Sequence, residues 1–130
     1  MNPAQLRVVS ILAGGAAGAL ARAAVAEMLP RAPGAWPWAT FSVNLFGAAL
    51  LAWLTTRLTE MVAPTRHWRF LLGTGLCGAL TTFSTFQVET IRLARDGHAP
   101  MAVGYSATSL AAGMGLAVAA TVAARRRRYG

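Results

Sequence analysis

The sequence predicts an all-α membrane protein. Of its 130 residues, 55% are hydrophobic and only 12% are charged, and the mean hydropathy is +0.48. A chain of this size with so few polar residues cannot cover a water-soluble core. Apolar runs at residues 6–29, 36–58, 68–93 and 100–124 are each long enough for a helix that crosses a bilayer, which needs about 20 residues. We therefore expect four transmembrane helices in a single membrane domain.

The first apolar run carries small residues at helical spacing. Gly14 and Gly18 are four residues apart and Arg22 follows after four more, so all three share one face of the predicted helix. Such a face lets a second backbone approach closely, which favours packing as the role of the glycines. An arginine inside a span needs the membrane interface, a water-filled vestibule or a carboxylate. Snorkelling to the interface and a place in a vestibule both remain open for Arg22.

The second run places an amide near the start of an otherwise apolar helix. The connection before it contains Trp36 and Trp38, which suit the headgroup layer of a membrane. Asn44 follows in the segment FSVNLFG. Its side chain offers two donors and an acceptor oxygen, so in lipid it must bond to a neighbouring helix or face water. Its position alone does not decide between these roles.

The third run contains the features that are hardest to explain by packing. Gly73, Gly75 and Gly78 are followed by Thr81 and Thr82, and this composition weakens a helix in the middle of the membrane. We expect a break that frees backbone carbonyl groups. Carbonyl oxygens of this kind suit a hard cation.

Beyond the predicted break, the third run combines aromatic and polar side chains. Phe83 and Phe86 share one helix face, and Thr82, Thr85 and Glu89 lie on a neighbouring face. The edges of phenylalanine rings carry partial positive charge, so the pair could favour an anion as well as fill space. A carboxylate inside a membrane span indicates a functional site.

The fourth run adds hydroxyl groups. Tyr105 and Ser109 are four residues apart and therefore on one face, with Ser106 and Thr108 beside them. Hydroxyl groups in membrane helices often bond to their own backbone, and that interpretation remains open for each of these side chains.

The charge and motif content argue against two other classes. The net charge is +8 and every basic residue is arginine, but the arginines are spread over helix ends and no nucleic-acid motif accompanies them. We expect contact with lipid headgroups and no nucleic-acid partner. Cys77 is the only cysteine, and the sequence holds no GxSxG, HExxH or Walker pattern. The sequence therefore does not predict an enzyme.

These motifs together resemble the Fluc-type fluoride channels, also called CrcB proteins. The similar segments are GGAAGALAR at 14–22, VNLFG at 43–47, GLCGALTTFSTFQVET at 75–90, and Tyr105 with the serines behind it. The third segment is the most specific of them. The resemblance covers nearly the whole chain and implies a passive, fluoride-selective channel that exports fluoride across the bacterial inner membrane to limit its toxicity.

The resemblance also implies an architecture and a set of site residues. Two copies form an antiparallel, dual-topology homodimer in the lipid bilayer, with two fluoride pores and a central structural sodium ion. In this sequence the sodium would bind the carbonyl oxygens of Gly78 and Thr81. Asn44 would donate to fluoride, and Phe83 and Phe86 would form an aromatic box. The remaining residues implied along the pore are Thr82, Ser84, Thr85, Glu89, Tyr105 and Ser109.

The arginine distribution and two other classes bear on this interpretation. With four spans, eight arginines share the side of the termini and three lie on the other side, but four of the eight form the cluster at 125–128. That cluster favours termini in the cytoplasm, against equal insertion of both orientations. Without it the count is four against three, and we expect the tail to contribute little because it follows the last span. A small multidrug exporter would need a carboxylate central in the first run, whereas Glu27 is near its end. A purely structural membrane subunit would leave Asn44 and Glu89 without a use.

Overall fold

The structure is a computed structural model, and it describes residues 1–59 and 66–126. Within these residues every regular element is a helix. Three elements are continuous α-helices, namely α1 (Pro3–Met28), α2 (Trp38–Thr59) and α5 (Ala99–Arg126). The helical stretch α3 consists of Arg66–Trp68, the π-helical turns Arg69–Cys77 and Gly78–Leu80, and α4 is Phe83–Arg95. Of the arginine cluster at 125–128, residues 127 and 128 lie outside the described part.

Three of the described helices, α1, α2 and α5, are long and apolar enough to cross a membrane. They coincide closely with the predicted runs 6–29, 36–58 and 100–124. The predicted third span, 68–93, is not one continuous helix in the structure. Thr81 (φ −81°, ψ 151°) and Thr82 (φ −145°, ψ 119°) are extended and separate α3 from α4. The glycines at 73 and 75 lie in the π-helical turns of α3, so the interruption follows them.

The glycine face of α1 packs directly on the backbone of α3. A Cβ atom on Gly14 would overlap the carbonyl oxygen of Leu71, and one on Gly18 would overlap the carbonyl oxygen of Leu76. From the other side, a Cβ atom on Gly75 would lie 2.7 Å from the carbonyl oxygen of Ile11. The two backbones are therefore in contact, which only glycine permits at these positions.

A tight turn joins α4 to α5 and lets these two helices pack against each other. The amide of His98 donates to the carbonyl oxygen of Leu93 at 2.8 Å, and Gly97 adopts φ +84°. This is the left-handed helix end that glycine favours. The turn allows α5 to run back along α4, while α2 packs along the other side of α5. Leu93, Ala102 and Tyr105 form the buried cluster between these helices, with Phe41 and Phe86 packed against it.

Candidate functional site

The interruption of the third span is held by a side chain from α2. The Nδ2 atom of Asn44 donates to the carbonyl oxygen of Thr82 at 3.0 Å. The backbone amide of Thr82 donates to the Oδ1 atom of Asn44 at 2.8 Å. The side-chain amide thus replaces the helical partners that Thr82 lacks, and one N–H of Asn44 remains beyond this pair of bonds. Of the two roles that the sequence left open for Asn44, the structure therefore shows the interhelical hydrogen bond.

Two backbone amides at the interruption donate to side chains instead of to carbonyl groups of α3. In a continuous α-helix, the carbonyl oxygens of Gly78 and Thr81 would accept from the amides of Thr82 and Thr85. Here the amide of Thr82 donates to Asn44, and the amide of Thr85 donates to the Oγ1 atom of Thr82 at 3.2 Å. The carbonyl groups of Gly78 and Thr81 are consequently released from their helical donors.

Arg22 reaches the last turn of α3 from α1. Its Nε atom donates to the carbonyl oxygen of Ala79 at 3.1 Å. In a continuous helix that oxygen would accept from the amide of Phe83, so the guanidinium group stands in for the missing donor. The half-buried arginine has a specific partner inside the protein, and that partner is a carbonyl group instead of a carboxylate.

Gly47 lets α2 lie against the interruption. A Cβ atom at this position would overlap the Cγ2 methyl group of Thr81. On the other side Thr81 keeps its last helical bond, because its amide donates to the carbonyl oxygen of Cys77 at 3.1 Å. Gly78, by contrast, is exposed, and nothing described lies within 4 Å of the position that its Cβ would take.

Hydroxyl groups surround the start of α4. The Oγ1 atom of Thr82 accepts from the amide of Thr85, donates to the hydroxyl oxygen of Thr85 at 3.1 Å, and lies 3.3 Å from the hydroxyl oxygen of Ser84. Thr82 therefore caps α4 at its N-terminus, where side-chain oxygens satisfy free amides. Ser84 is exposed, whereas Thr82 and Thr85 are half-buried.

Glu89 joins three helices through its carboxylate. The Oγ1 atom of Thr40 donates to Oε1 at 2.9 Å, and the hydroxyl group of Tyr105 donates to Oε2 at 3.0 Å. Thr40 and Tyr105 are 5% and 0% exposed. Both oxygens of the acid are thus bonded inside the protein, as the placement of a carboxylate in a membrane span requires.

Sequence reasoning did not identify Thr40 as a site residue. A signal for it exists, since Thr40 lies four residues before Asn44 and therefore on the same side of α2. A hydroxyl group one turn before a membrane-embedded amide indicates a polar stripe along the helix.

The aromatic residues form a short row that ends at Tyr105. The ring centroids of Phe83 and Phe86 are 6.0 Å apart, and those of Phe86 and Tyr105 are 5.1 Å apart. The side of Phe83 away from this row is open, since the residue is 72% exposed. The row runs from the surface of the described chain into its core.

A groove of about 370 Å³ lies beside the interruption. Its polar lining comes from Asn44, Thr81, Thr82 and Ser109, and its aromatic lining comes from Phe83 and Phe86. The hydroxyl oxygen of Ser109 is buried and has no hydrogen-bond partner within the described residues. Buried hydroxyl groups are normally hydrogen-bonded, so Ser109 carries an unused donor among the residues that line the groove.

A second cavity, of about 280 Å³, lies on another side of the interruption. Arg22, Thr40, Thr82 and Thr85 provide its polar lining. Thr82 lines both cavities, whereas Glu89 and Tyr105 line neither. The residues that the resemblance placed along the pore are therefore not all in one space: the groove and the second cavity each hold some of them, whereas Ser84 and the half-buried Glu89 line neither. No group of three or more His, Cys, Asp or Glu side chains suited to a metal ion occurs within the described ranges.

The fold and this site define a multi-pass helical membrane protein with a polar interruption between α3 and α4. A family model described as CrcB-like protein, Camphor Resistance (CrcB), matches residues 9–121. The chain belongs to this CrcB family.

Several relatives are similar over almost the whole chain. A protein of Mycobacterium tuberculosis named Fluoride-specific ion channel FluC 1 is 50% identical over 121 residues, covering 93% of this chain and 92% of the relative. A protein of the same name from Mycolicibacterium paratuberculosis is 48% identical over 121 residues, with the same coverage of 93% and 92%. A Chlorobaculum tepidum protein named Fluoride-specific ion channel FluC is 41% identical over 118 residues, or 91% of this chain and 94% of the relative. These names designate ion channels, which agrees with the class of non-enzymatic membrane protein expected from the motifs.

Proposed function

We propose that this protein is a passive, fluoride-selective ion channel. The observation that carries the proposal is the groove at the interruption, which is lined by Asn44, Phe83, Phe86 and Ser109, the last with a buried hydroxyl group that has no partner among the described residues. Relatives about 50% identical over almost the whole chain are named fluoride-specific ion channels. The groove has no charged lining residue among those described, so it offers donors to an anion without a cation that would trap it.

Fluoride is small and strongly hydrated, so a dry path must return hydrogen bonds at each step. The donors that the groove residues would supply are the second N–H of Asn44 and the hydroxyl group of Ser109. The edges of the Phe83 and Phe86 rings would add weak positive electrostatic potential. Each contact is weak enough for the ion to leave, which rapid passage requires.

The polar track continues through the hydroxyl groups at the start of α4. The hydroxyl group of Thr82 is within hydrogen-bond distance of those of Ser84 and Thr85. Glu89 holds the hydroxyl groups of Thr40 and Tyr105 in fixed orientations at the end of the track. In this proposal Glu89 and Tyr105 position the track, whereas the ion itself contacts the groove and the small hydroxyl groups.

A structural sodium ion fits the carbonyl groups at the end of α3. The carbonyl groups of Gly78 and Thr81 have lost their helical donors, and oxygen ligands of this kind suit a hard cation. When bound, the ion would neutralise the partial negative charge of these carbonyl groups and stabilise the interruption. The partner subunit would supply the same carbonyl groups in the proposed dimer.

The proposed assembly is an antiparallel homodimer with two pores in the inner membrane. Gly78 and Phe83 are both exposed on the single chain, as residues at the centre of such a dimer would be. A second copy would close the open side of the groove beside Phe83. Fluoride would then leave the cytoplasm down its electrochemical gradient, which limits its toxicity.

The multidrug-exporter alternative is less well supported. It requires a carboxylate central in the first helix, whereas Glu27 is exposed in the last turn of α1, next to Met28. A structural subunit would not need the buried donor of Ser109. A fluoride release assay separates the channel from both alternatives, and proton-driven transport of a cationic drug separates the exporter from the structural subunit.

The deciding experiment measures fluoride release from liposomes with a fluoride electrode. The liposomes contain purified dimeric protein and potassium fluoride, and valinomycin carries the compensating potassium; matched liposomes contain potassium chloride. We expect rapid release of fluoride and none of chloride. Equal release of both ions would contradict selectivity, and no release from protein shown to be dimeric would refute the channel.

A further inference from the structure

The indole ring of Trp36 carries a buried donor that no described residue accepts. Its Nε1 atom is enclosed by the protein and has no hydrogen-bond partner among the described residues. Within the same part of the chain, the hydroxyl oxygen of Ser109 is the other buried side-chain atom in this condition. Buried donors are almost always paired, because an unpaired donor lowers the stability of the fold. The unpaired indole N–H of Trp36 is therefore a candidate contact for a ligand.

Trp36 lies beside the residue at the end of the polar track. Its ring meets the ring of Tyr105 at 5.4 Å between centroids and at an angle of 83°, and the hydroxyl group of Tyr105 donates to Glu89. Phe86, which lines the groove, is the other close ring on Tyr105, at 5.1 Å. Ser109 follows Tyr105 by one turn of α5. Both unpaired donors thus belong to residues next to Tyr105, in the fold or along the helix.

The connection between α1 and α2, residues 29–37, carries Trp36 to the surface of the molecule. Trp36 itself is half-buried, whereas Pro33 before it is exposed and Trp38 after it is 60% exposed. Tyr105 is completely buried. Trp36 therefore occupies the layer between the enclosed end of the polar track and the exposed connection.

Several contacts fix this connection across the end of α4 and α5. Gly34 adopts φ +73°, a conformation that glycine favours, and a Cβ atom there would lie 2.7 Å from the ring of His98 in the turn between the two helices. The backbone amide of Trp38 donates to the carbonyl oxygen of Trp36 at 2.9 Å. The ring of Phe41 meets the Trp36 ring edge to face at 5.5 Å. The indole is thus held in place before any ligand arrives, which reduces the entropic cost of binding.

We propose that the indole N–H of Trp36 is a further fluoride-binding donor, at the surface end of the polar track. An ion that leaves the track must pass the carboxylate of Glu89, whose negative charge repels it. A hydrogen bond from Trp36 would offset this repulsion before bulk water restores the hydration of the ion. The donor belongs to an uncharged ring, so it does not hold the ion as a fixed cation would. This inference rests on the proposed channel function.

The first test is a pair of substitutions within the same connection. Trp36→Phe keeps an aromatic ring and removes the buried N–H, whereas Trp38→Phe removes an indole from the exposed neighbour. Fluoride release from liposomes is measured for both, after size-exclusion chromatography has shown that they remain dimeric. We expect Trp36→Phe to slow release about tenfold, which is the order of one hydrogen bond to a charged group. Trp38→Phe should match the wild type.

The second test detects the hydrogen bond itself and does not depend on conduction. The four tryptophans are labelled with 15N, and the Trp36 indole signal is assigned in the 1H–15N spectrum as the one that Trp36→Phe removes. Potassium fluoride is then added, with potassium chloride at the same ionic strength as the control. We expect fluoride alone to move the Trp36 indole proton downfield, since a charge-assisted hydrogen bond is short and strong. The Trp38 signal should stay in place.

An unmoved Trp36 signal would overturn the inference even if Trp36→Phe slowed release, because the indole would then act only through its packing. The failure of the inference can also be told apart from the failure of the channel. If the wild type releases fluoride and Trp36→Phe releases it at the same rate, the inference about Trp36 is wrong and the channel proposal stands. If the wild-type dimer releases no fluoride, the channel proposal fails and the inference fails with it.

Discussion

Asn44 and Thr82 are joined by two hydrogen bonds in opposite directions, from Nδ2 to the carbonyl oxygen at 3.0 Å and from the backbone amide to Oδ1 at 2.8 Å. A primary amide can do this because it has a donor and an acceptor side by side. The pair gives the unwound backbone of the third span the partners that a helical turn would otherwise provide.

Asn44→Asp should therefore destabilise the protein. The carboxylate has nearly the shape of the amide but cannot donate to the carbonyl oxygen of Thr82, and it adds a charge inside the membrane. We expect a loss of about 1–3 kcal/mol or more in the free energy of unfolding, which follows from leaving a buried acceptor unpaired. Chemical denaturation in detergent, followed by circular dichroism, measures this change.

Asn2→Asp is the matched control for Asn44→Asp. Asn2 caps α1 by accepting from the amide of Gln5 at 2.8 Å, and a carboxylate caps a helix as well as an amide does. This substitution should leave the stability nearly unchanged. Equal effects of the two substitutions would contradict a special role for the Asn44–Thr82 pair.

The bond from Arg22 to Ala79 makes a second prediction. Arg22→Leu removes the donor that replaces the helical partner of the Ala79 carbonyl group. We expect a loss of about 1–3 kcal/mol in the free energy of unfolding, the cost of an unsatisfied buried acceptor. Arg92→Leu, at an exposed position of α4, is the control and should have a small effect. A stable Arg22→Leu variant would show that the side chain only seeks the membrane interface.

The glycine face of α1 allows the effect of an added methyl group to be compared at three neighbouring glycines. Gly14→Ala and Gly18→Ala place a methyl group on the backbone of α3, whereas Gly15→Ala meets nothing within 4 Å. We expect the first two substitutions to cost about 1–3 kcal/mol or more, as overpacking does. Gly15→Ala should stabilise the helix by up to about 1 kcal/mol. Thermal unfolding of the three variants in one detergent provides the measurement, and a destabilised Gly15→Ala variant would contradict the assigned face.

The two phenylalanines should respond differently to substitution by isoleucine. Both Phe83→Ile and Phe86→Ile remove ring edges from the groove, so we expect each to slow fluoride flux at least about tenfold, which corresponds to about 1.4 kcal/mol. Only Phe86 packs on Tyr105, at 5.1 Å between ring centres, so only Phe86→Ile should lower the stability of the single chain. Size-exclusion chromatography checks that both variants remain dimeric. Unchanged flux in both would remove the rings from the proposed pathway.

The sequence predicted those features that follow from local pattern. Hydrophobic length identified the spans that became α1, α2 and α5, and the spacing of Gly14 and Gly18 identified the face that contacts α3. The glycines alone did not decide where the helix ends, because glycine content weakens a helix without fixing its last residue. In the structure Gly73 and Gly75 stay in wide helical turns, and the chain becomes extended only where Asn44 supplies the replacement bonds.

The sequence pattern could not predict contacts between residues that are distant in the sequence. Nothing near Arg22 indicates that it bonds to Ala79, since the two residues meet only after α1 has packed on α3. Thr40 was missed for the same reason, because its hydroxyl group matters only through Glu89 on another helix. The roles of Gly78, Thr81 and the groove residues toward ions remain predictions.

The pairing of helices has a consequence for how the chain is made. The main partner of α1 is α3, and the main partner of α2 is α5, so each early helix packs chiefly against one made later. During synthesis α1 and α2 are therefore in the lipid with little contact to each other until the second half of the chain is inserted. A truncated nascent chain that ends before α3 should leave the glycine face of α1 exposed to other membrane proteins. Proteases and chaperones of the membrane would then act on a chain with this face uncovered.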